Sequence, residues 1–219
     1  MSSTREIIIL ANSAKKGGYC VAGKDIKTGE WVRPVSTVSG GELSREQVTL
    51  VSSRYAWVAK TLNKVVISFD SHVPQSNQPE NHLIDTSAWK PNFRSDRTAL
   101  DNYLDTPEHL WMYGRKQDRV DYRLFEQGLI AEHQSLYLIK VKSIVYNVVL
   151  NSKGSQRVRG TFEYNGLDYT FNVTDMAYCK YKNGPLGVSF TEYDKYLCLS
   201  LSEKFEATGD CFKLIASVI

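Results

Sequence analysis

The sequence predicts a mainly β chain with minor α content, built as two five-stranded barrels joined by a partly helical connector. Two observations predict it. Short apolar runs, many of them β-branched, recur at both ends of the chain between turn-forming residues. The same order of elements also reads twice: three strands, a short helical stretch, then further strand. A length of 219 residues accommodates two small domains.

In the first third, Ile7 to Ala11 is a β-branched apolar run and reads as a buried strand. Tyr19 to Gly23 is a second strand, Lys27-Thr28-Gly29 a turn, and Trp31 to Val35 a third strand. Pro34 cannot donate to a ladder, so the third strand should end there or lie at an edge. Ser44 followed by Gln47 matches a capping box and predicts a short helix. Lys64 to Phe69 returns to strand. Residues 71–135 read as a mixed connector, with helical spacing over Thr98 to Leu104 and Val120 to Leu129.

Strands dominate again from Leu136. The run Leu136 to Leu150 is expected as one long strand bent midway. Gln156 to Tyr164 leads into Asn165-Gly166, a strong two-residue hairpin signal. After it Leu167, Tyr169, Phe171 and Val173 alternate with polar residues, the pattern of a half-buried antiparallel strand. Thr174-Asp175 can cap a short helix through Lys180, and Tyr196 to Leu201 and Cys211 to Val218 complete the set. Three strands, a short helix and two further strands is the element order of an OB barrel. The expected boundaries are 1–70 for the first OB-like barrel, with residues from 71–95 available to complete it, 71–135 for the connector and 136–219 for the second.

These segments carry a resemblance. The chain is similar to the bacterial dual-OB-containing domain family in Leu10-Ala11-Asn12-Ser13 with Gly18 and Cys20 to Gly23, in Glu30-Trp31-Val32-Arg33-Pro34-Val35-Ser36, in Gln78-Pro79-Glu80-Asn81 with Leu83-Ile84-Asp85, and in Leu197 to Leu201 with Lys213 to Ala216. The stretches follow one another along nearly the whole chain. The resemblance implies a pair of OB-like barrels and, more loosely, nucleic-acid binding in bacterial conflict or defence. It brings no catalytic residue with it.

A net charge of +3 permits contact with a polyanion without demanding it. Cys20, Cys179, Cys198 and Cys211 form no C-x-x-C pair, which argues against a zinc ribbon or a thioredoxin-type site. Cys198 and Cys211 read as buried small hydrophobes. His72, His82, His109 and His133 are isolated, and no pair has metal-ligand spacing. No nucleophile elbow is present. The apolar run Ile7 to Leu10 is too short for a signal peptide or a membrane span. The expectation is a soluble cytoplasmic protein, non-catalytic, with no cofactor and no membrane partner.

The candidate binding residues are Asn12, Lys15, Lys24, Trp31, Arg33, Glu80, Asn81, Arg157 and Arg159. Trp31 and Arg33 lie two apart on a strand and so share a face. An indole beside a guanidinium can stack a base and hold a phosphate. Alternatively, Trp31 plugs the barrel and Arg33 pairs with Glu30 or Glu80. Lys15, Lys16 and Lys24, with Gly17 and Gly18, make a cationic hairpin tip where backbone N–H groups can approach an anion. The same residues also suit a solvated turn. Asn12, Gln78, Glu80 and Asn81 can read base edges or satisfy loop backbone. Arg157 and Arg159 share a strand face near Tyr164, Tyr169, Tyr178, Lys180, Tyr181 and Lys182, an interleaving that suits a single-strand groove.

The leading expectation is a dual OB-fold module binding single-stranded or structured DNA or RNA. The alternatives are a nucleotide or small-ligand pocket formed by Asn12, Arg33, Glu80 and Asn81, in a sensor or an enzyme, and a protein-interaction module.

Overall fold

A computed structural model describes residues 3–15, 17–111, 117–130, 134–151 and 153–219. Lys16 and His133 lie outside the described residues. The chain divides into two compact units, Met1–Tyr103 and Leu104–Ile219.

The first unit contains β1 (Ser3–Lys15), β2 (Gly18–Asp25), β3 (Trp31–Val35), β4 (Thr49–Val51), β5 (Ala56–Val58), β6 (Asn63–His72), β7 (Asn81–Ile84) and β8 (Lys90–Arg94), followed by a 3₁₀ helix over Arg97–Tyr103. The sheet order is β1-β2-β3-β7-β6-β8, and an additional β1–β6 pairing closes the first five strands into a barrel. The closing geometry is characteristic: β3 runs parallel to β7, while every other pair in the barrel is antiparallel. β8 extends the sheet beyond β6.

The core of this unit follows from alternation along the strands. Ile7, Ile9, Val21, Val32, Val65, Ile67, Phe69 and Trp89 point into one apolar cluster. Strand β1 is kept in line by a register shift between Ile9 and Ala11. Opposite that shift, Gly23 packs so closely that a Cβ there would lie 2.2 Å from the Ile8 carbonyl oxygen. The Ser44 and Gln47 side chains make the expected reciprocal capping bonds, Gln47 N–H to Ser44 Oγ and Ser44 N–H to Gln47 Oε1. The segment stops after one hydrogen-bonded turn and becomes the β4–β5 hairpin, so the expected helix does not form. The box satisfies a turn as well as it satisfies a helix start, because both leave the same N–H groups unpaired.

The second unit contains β9 (Arg119–Asp121), α1 (Tyr122–Glu126), β10 (Leu136–Leu150), β11 (Gln156–Tyr164), β12 (Leu167–Val173), a 3₁₀ helix over Cys179–Asn183, β13 (Ser189–Phe205) and β14 (Asp210–Val218). Its order is β12-β11-β10-β13-β14-β9, closed by a parallel β12–β14 pairing. The topology repeats that of the first barrel, with one extra strand again added outside the closed five. The two units are therefore two closed five-stranded OB-like barrels.

Long strand β10 stays continuous but changes its alternation. Tyr137, Ile139 and Val141 face the core, and then Ile144 and Tyr146 do, so the period slips by one at Lys142-Ser143. Its partner β13 makes the matching change near Asp194, a non-glycine residue with φ of 51°. The Asn165-Gly166 turn has positive φ at both residues, 51° and 77°, as a two-residue type I′ hairpin requires. Asp175 accepts from Ala177 N–H, but the helix starts later, at Cys179, without a side-chain cap. Val120 was expected to open a helix. It lies in β9 instead, paired with Cys211, and only Tyr122–Glu126 is helical, capped by Asp121.

Candidate nucleic-acid interface

The residues singled out on the first barrel are brought together only in part. All of β3 is buried, with Trp31 7% and Arg33 3% exposed. Lys24 pairs with Trp31 across β2 and β3 and sets its ammonium 5.2 Å from the indole centre. The face shared by Trp31 and Arg33 is thus covered. An open stacking platform requires an accessible ring, which Trp31 does not present here.

Arg33 and Asn81 are register partners in the parallel β3–β7 pair, and the Arg33 N–H donates to the Glu80 carbonyl at 2.9 Å. The Arg33 guanidinium also donates to the Cys20 sulfur at 3.4 Å. Glu80 and Asn81 are buried, Asn81 completely. Neither side-chain polar atom of Asn81 has a hydrogen-bond partner among the described residues. Asn12 is directed elsewhere in the barrel, donating to the Ala59 carbonyl at 2.6 Å. Lys15 folds back from the hairpin tip to the Gly40 carbonyl at 2.7 Å. That hairpin is tied at Tyr19, which exchanges both backbone hydrogen bonds with Leu43.

Beside this set the loop before β7 is held by two imidazoles. His82 Nδ1–H donates to the Glu80 carbonyl at 2.8 Å and His72 Nε2–H to the Pro79 carbonyl at 2.6 Å. The two rings lie 4.6 Å apart. Burial holds the pKa of His82 below its ordinary value, assisted by the nearby charge of Arg5.

On the second barrel Arg157 and Arg159 share a face of β11, as the spacing predicts, and both are half-buried. Arg157 donates to the carbonyl of Gln156. Arg159 donates to the Thr170 carbonyl at 2.7 Å and sits 3.7 Å from Asp118. Asp118 also takes Arg119 at 2.8 Å, and Arg119 reaches Asp210 at 3.7 Å. Burial works against the charge on Asp118, yet the Arg119 hydrogen bond and the two guanidinium charges keep its carboxyl below the usual range. Arg159 is thereby one member of an ion network on the sheet.

Accessible aromatic rings occur where the sequence reading placed no site. Phe93 is 82% exposed on edge strand β8, between exposed Lys90 and Arg94. Tyr55 at the β4–β5 turn is 73% exposed and follows exposed Arg54. Near the start of β8 a cleft of about 310 Å³ is lined by Thr4, Val66, Ser68, Ser87, Trp89 and Lys90, among others. The signal was present in the sequence as Lys90-Pro91-Asn92-Phe93-Arg94, an aromatic between cations. It was masked by assignment of the region to a connector. Among the described residues no helix is long and apolar enough to cross a membrane.

Residues 5–218 match the family described as the dual OB-containing domain. No curated protein matches the chain. Among solved structures, the crystal structure of the tetrameric p202 HIN2 is similar over 100% of this chain and 95% of that one, at 10% sequence identity and a TM-score of 0.34.

Proposed function

The chain belongs to the dual OB-containing domain family, and from that premise we propose that it is a non-catalytic module that binds single-stranded or structured nucleic acid. The observation that carries this reading is Phe93. A phenyl ring 82% exposed between Lys90 and Arg94 contributes little to the fold. It offers a base a stacking surface, and the same strand carries two exposed cations that can meet phosphates. The neighbouring cleft counts Thr4, Ser68, Ser87 and Lys90 among its lining residues, side chains of the kinds that bind sugar and phosphate oxygens. The binding surface is thus proposed on β8, with the Trp31–Arg33 face built into the barrel. The four cysteines are unbonded, which fits a reducing compartment such as a bacterial cytoplasm.

The test is fluorescence anisotropy of a labelled single strand at low and at physiological salt. The affinity should fall steeply with salt, and Lys90→Ala or Arg94→Ala should each lower the slope of log K against log salt by about 1. Phe93→Ala should weaken binding about five-fold or more. Absence of binding at low salt, or binding indifferent to salt, rejects the proposal.

One observation favours a second reading. The amide of Asn81, beside Arg33 and Glu80 and with no hydrogen-bond partner among the described residues, is the kind of group a small ligand satisfies. A thermal shift with mononucleotides and none with oligonucleotides would establish that reading in place of the first.

A further inference from the structure

The segment 176–190 of the second barrel takes in most of the connection from β12 to β13 and the first two residues of β13, and carries no acidic residue. It holds Lys180 and Lys182, two tyrosines and several apolar side chains that the fold leaves in solvent: Met176 42%, Tyr181 37%, Leu186 51% and Val188 41% exposed. Four exposed apolar groups within thirteen residues are costly unless they meet something.

The segment is firmly positioned. Asp175 is buried and accepts from the N–H groups of Ala177 and Val218, both through its carboxylate. The Gln156 amide donates to the Gly184 carbonyl, and Val148 exchanges backbone hydrogen bonds with Gly187 and Val188. Tyr178 and Tyr146 both donate to the same Glu192 oxygen, at 2.5 and 3.0 Å. Glu192 also pairs with Lys195 at 3.5 Å, so this carboxylate is already compensated.

A series of rings leads outward from the core through this scaffold. Tyr146, fully buried, stacks on Phe190 at 4.7 Å, and Phe190 meets Tyr181 at 4.8 Å. Tyr181 is the outer end, and the Lys180 ammonium lies 5.0 Å from its ring centre. The terminal ring is held by packing, reaches solvent, and has an exposed cation beside it, which is the equipment of a base-stacking site.

We infer that Tyr181, with Lys180, Lys182 and the apolar shelf of Leu186 and Val188, forms a second nucleic-acid contact that stacks an unpaired base and holds its phosphate. This rests on the nucleic-acid reading proposed above and is independent of β8. An unpaired base is specified because one free aromatic edge admits a splayed nucleotide, whereas a duplex keeps its bases stacked on each other. The absence of acidic side chains from the segment selects a polyanion over an acidic-and-basic protein surface.

The experiment uses the full chain. A strand carrying a photoreactive pyrimidine is crosslinked and the modified peptide mapped, and binding of the same strand is measured by anisotropy. The expected result is a crosslink within residues 178–190, an affinity loss of about five-fold or more in Tyr181→Ala, and less than about two-fold in Tyr181→Phe, which keeps the ring. Lys180→Glu, at an exposed site that leaves the packed rings in place, should weaken binding comparably. Strand binding that is intact in both Tyr181→Ala and Lys180→Glu, with no crosslink in the segment, overturns this inference and leaves the nucleic-acid reading standing. Failure of the unaltered protein to bind any strand at low salt overturns both.

Discussion

At the scale of single residues the first barrel stores its polar groups in unusual places, and two of them give measurable consequences. Burial disfavours the charge on His82 and holds its folded pKa below the ordinary value. A base whose folded pKa is depressed binds its proton more readily when unfolded, so folding stability rises with pH across that interval. The contribution is complete above about 6.5, the unfolded value, and is lost as pH falls through the lower folded value. Denaturant titrations between about pH 5 and 7 should show this slope, and His82→Gln should flatten it. A slope unchanged in the variant would assign it to other groups. Asn81 makes the second case. Its amide is fully buried and neither polar atom has a partner among the described residues. Asn81→Leu removes a desolvation cost of about 1–3 kcal/mol, so the denaturation midpoint should rise, provided the cavity admits the branched chain. A marked fall would show that the amide is satisfied in solution.

The elements differ in how plainly the sequence announced them. Strands β11 and β12 coincide with the residues read from it, because Asn165-Gly166 fixes the turn and alternation fixes both flanks. The resemblance to dual OB proteins and the doubled element order agreed on two barrels, and both barrels are closed as expected. Of the short strands, β3 was legible over Trp31–Val35, while β4, β5, β8 and β9 were not. β8 contains Pro91 and only one large apolar residue, Phe93, which faces solvent. No periodicity can mark a strand held by one neighbour and buried on neither face. The candidate site was harder still. Trp31 and Arg33 were correctly placed on one strand face, but alternation gives the face and not what covers it.

Gly23 and Gly160 test the element scale directly. Each occupies the second strand of its barrel and each lacks room for a Cβ, but the obstacles differ. At Gly23 it is backbone, the Ile8 carbonyl at 2.2 Å; at Gly160 it is two terminal methyls, of Ile215 and Ile144, at 2.7 and 2.8 Å. Side-chain methyls can rotate away and a carbonyl held in a ladder cannot. Gly23→Ala should therefore cost at least about 1–3 kcal/mol, and Gly160→Ala distinctly less, in equilibrium denaturation. Equal costs would mean that the core around Ile144 and Ile215 is as unyielding as main chain.

For the whole molecule, each barrel depends on one seam. The parallel pairing that completes it consists of Arg33, Pro34 and Val35 against Asn81, His82 and Leu83 in one unit, and of Asn172 and Val173 against Leu214 and Ile215 in the other. Every other junction within the closed barrels except β2–β3 and β6–β7 is longer in register. The seam also joins segments far apart in sequence, so its contacts return little until most of the chain-closure entropy has been spent. Amides flanking it should exchange with solvent deuterium ahead of those in the centre of the β10–β13 pair, in a native-state hydrogen-exchange experiment. Uniform protection across both regions would contradict this. Each barrel then resembles a hoop with a clasp: opening at the clasp turns the closed wall into a curved, continuous sheet with two free edges, and it does so without breaking a hairpin. In the clasp of the first unit the Arg33 N–H crosses to the Glu80 carbonyl, and the nitrogen of Pro34, the next residue, faces the other way, so the proline sits at the centre of the clasp without removing a donor from it. A strand of another molecule meeting the opened wall would find its strongest complementarity there, at the two edges that were last to join.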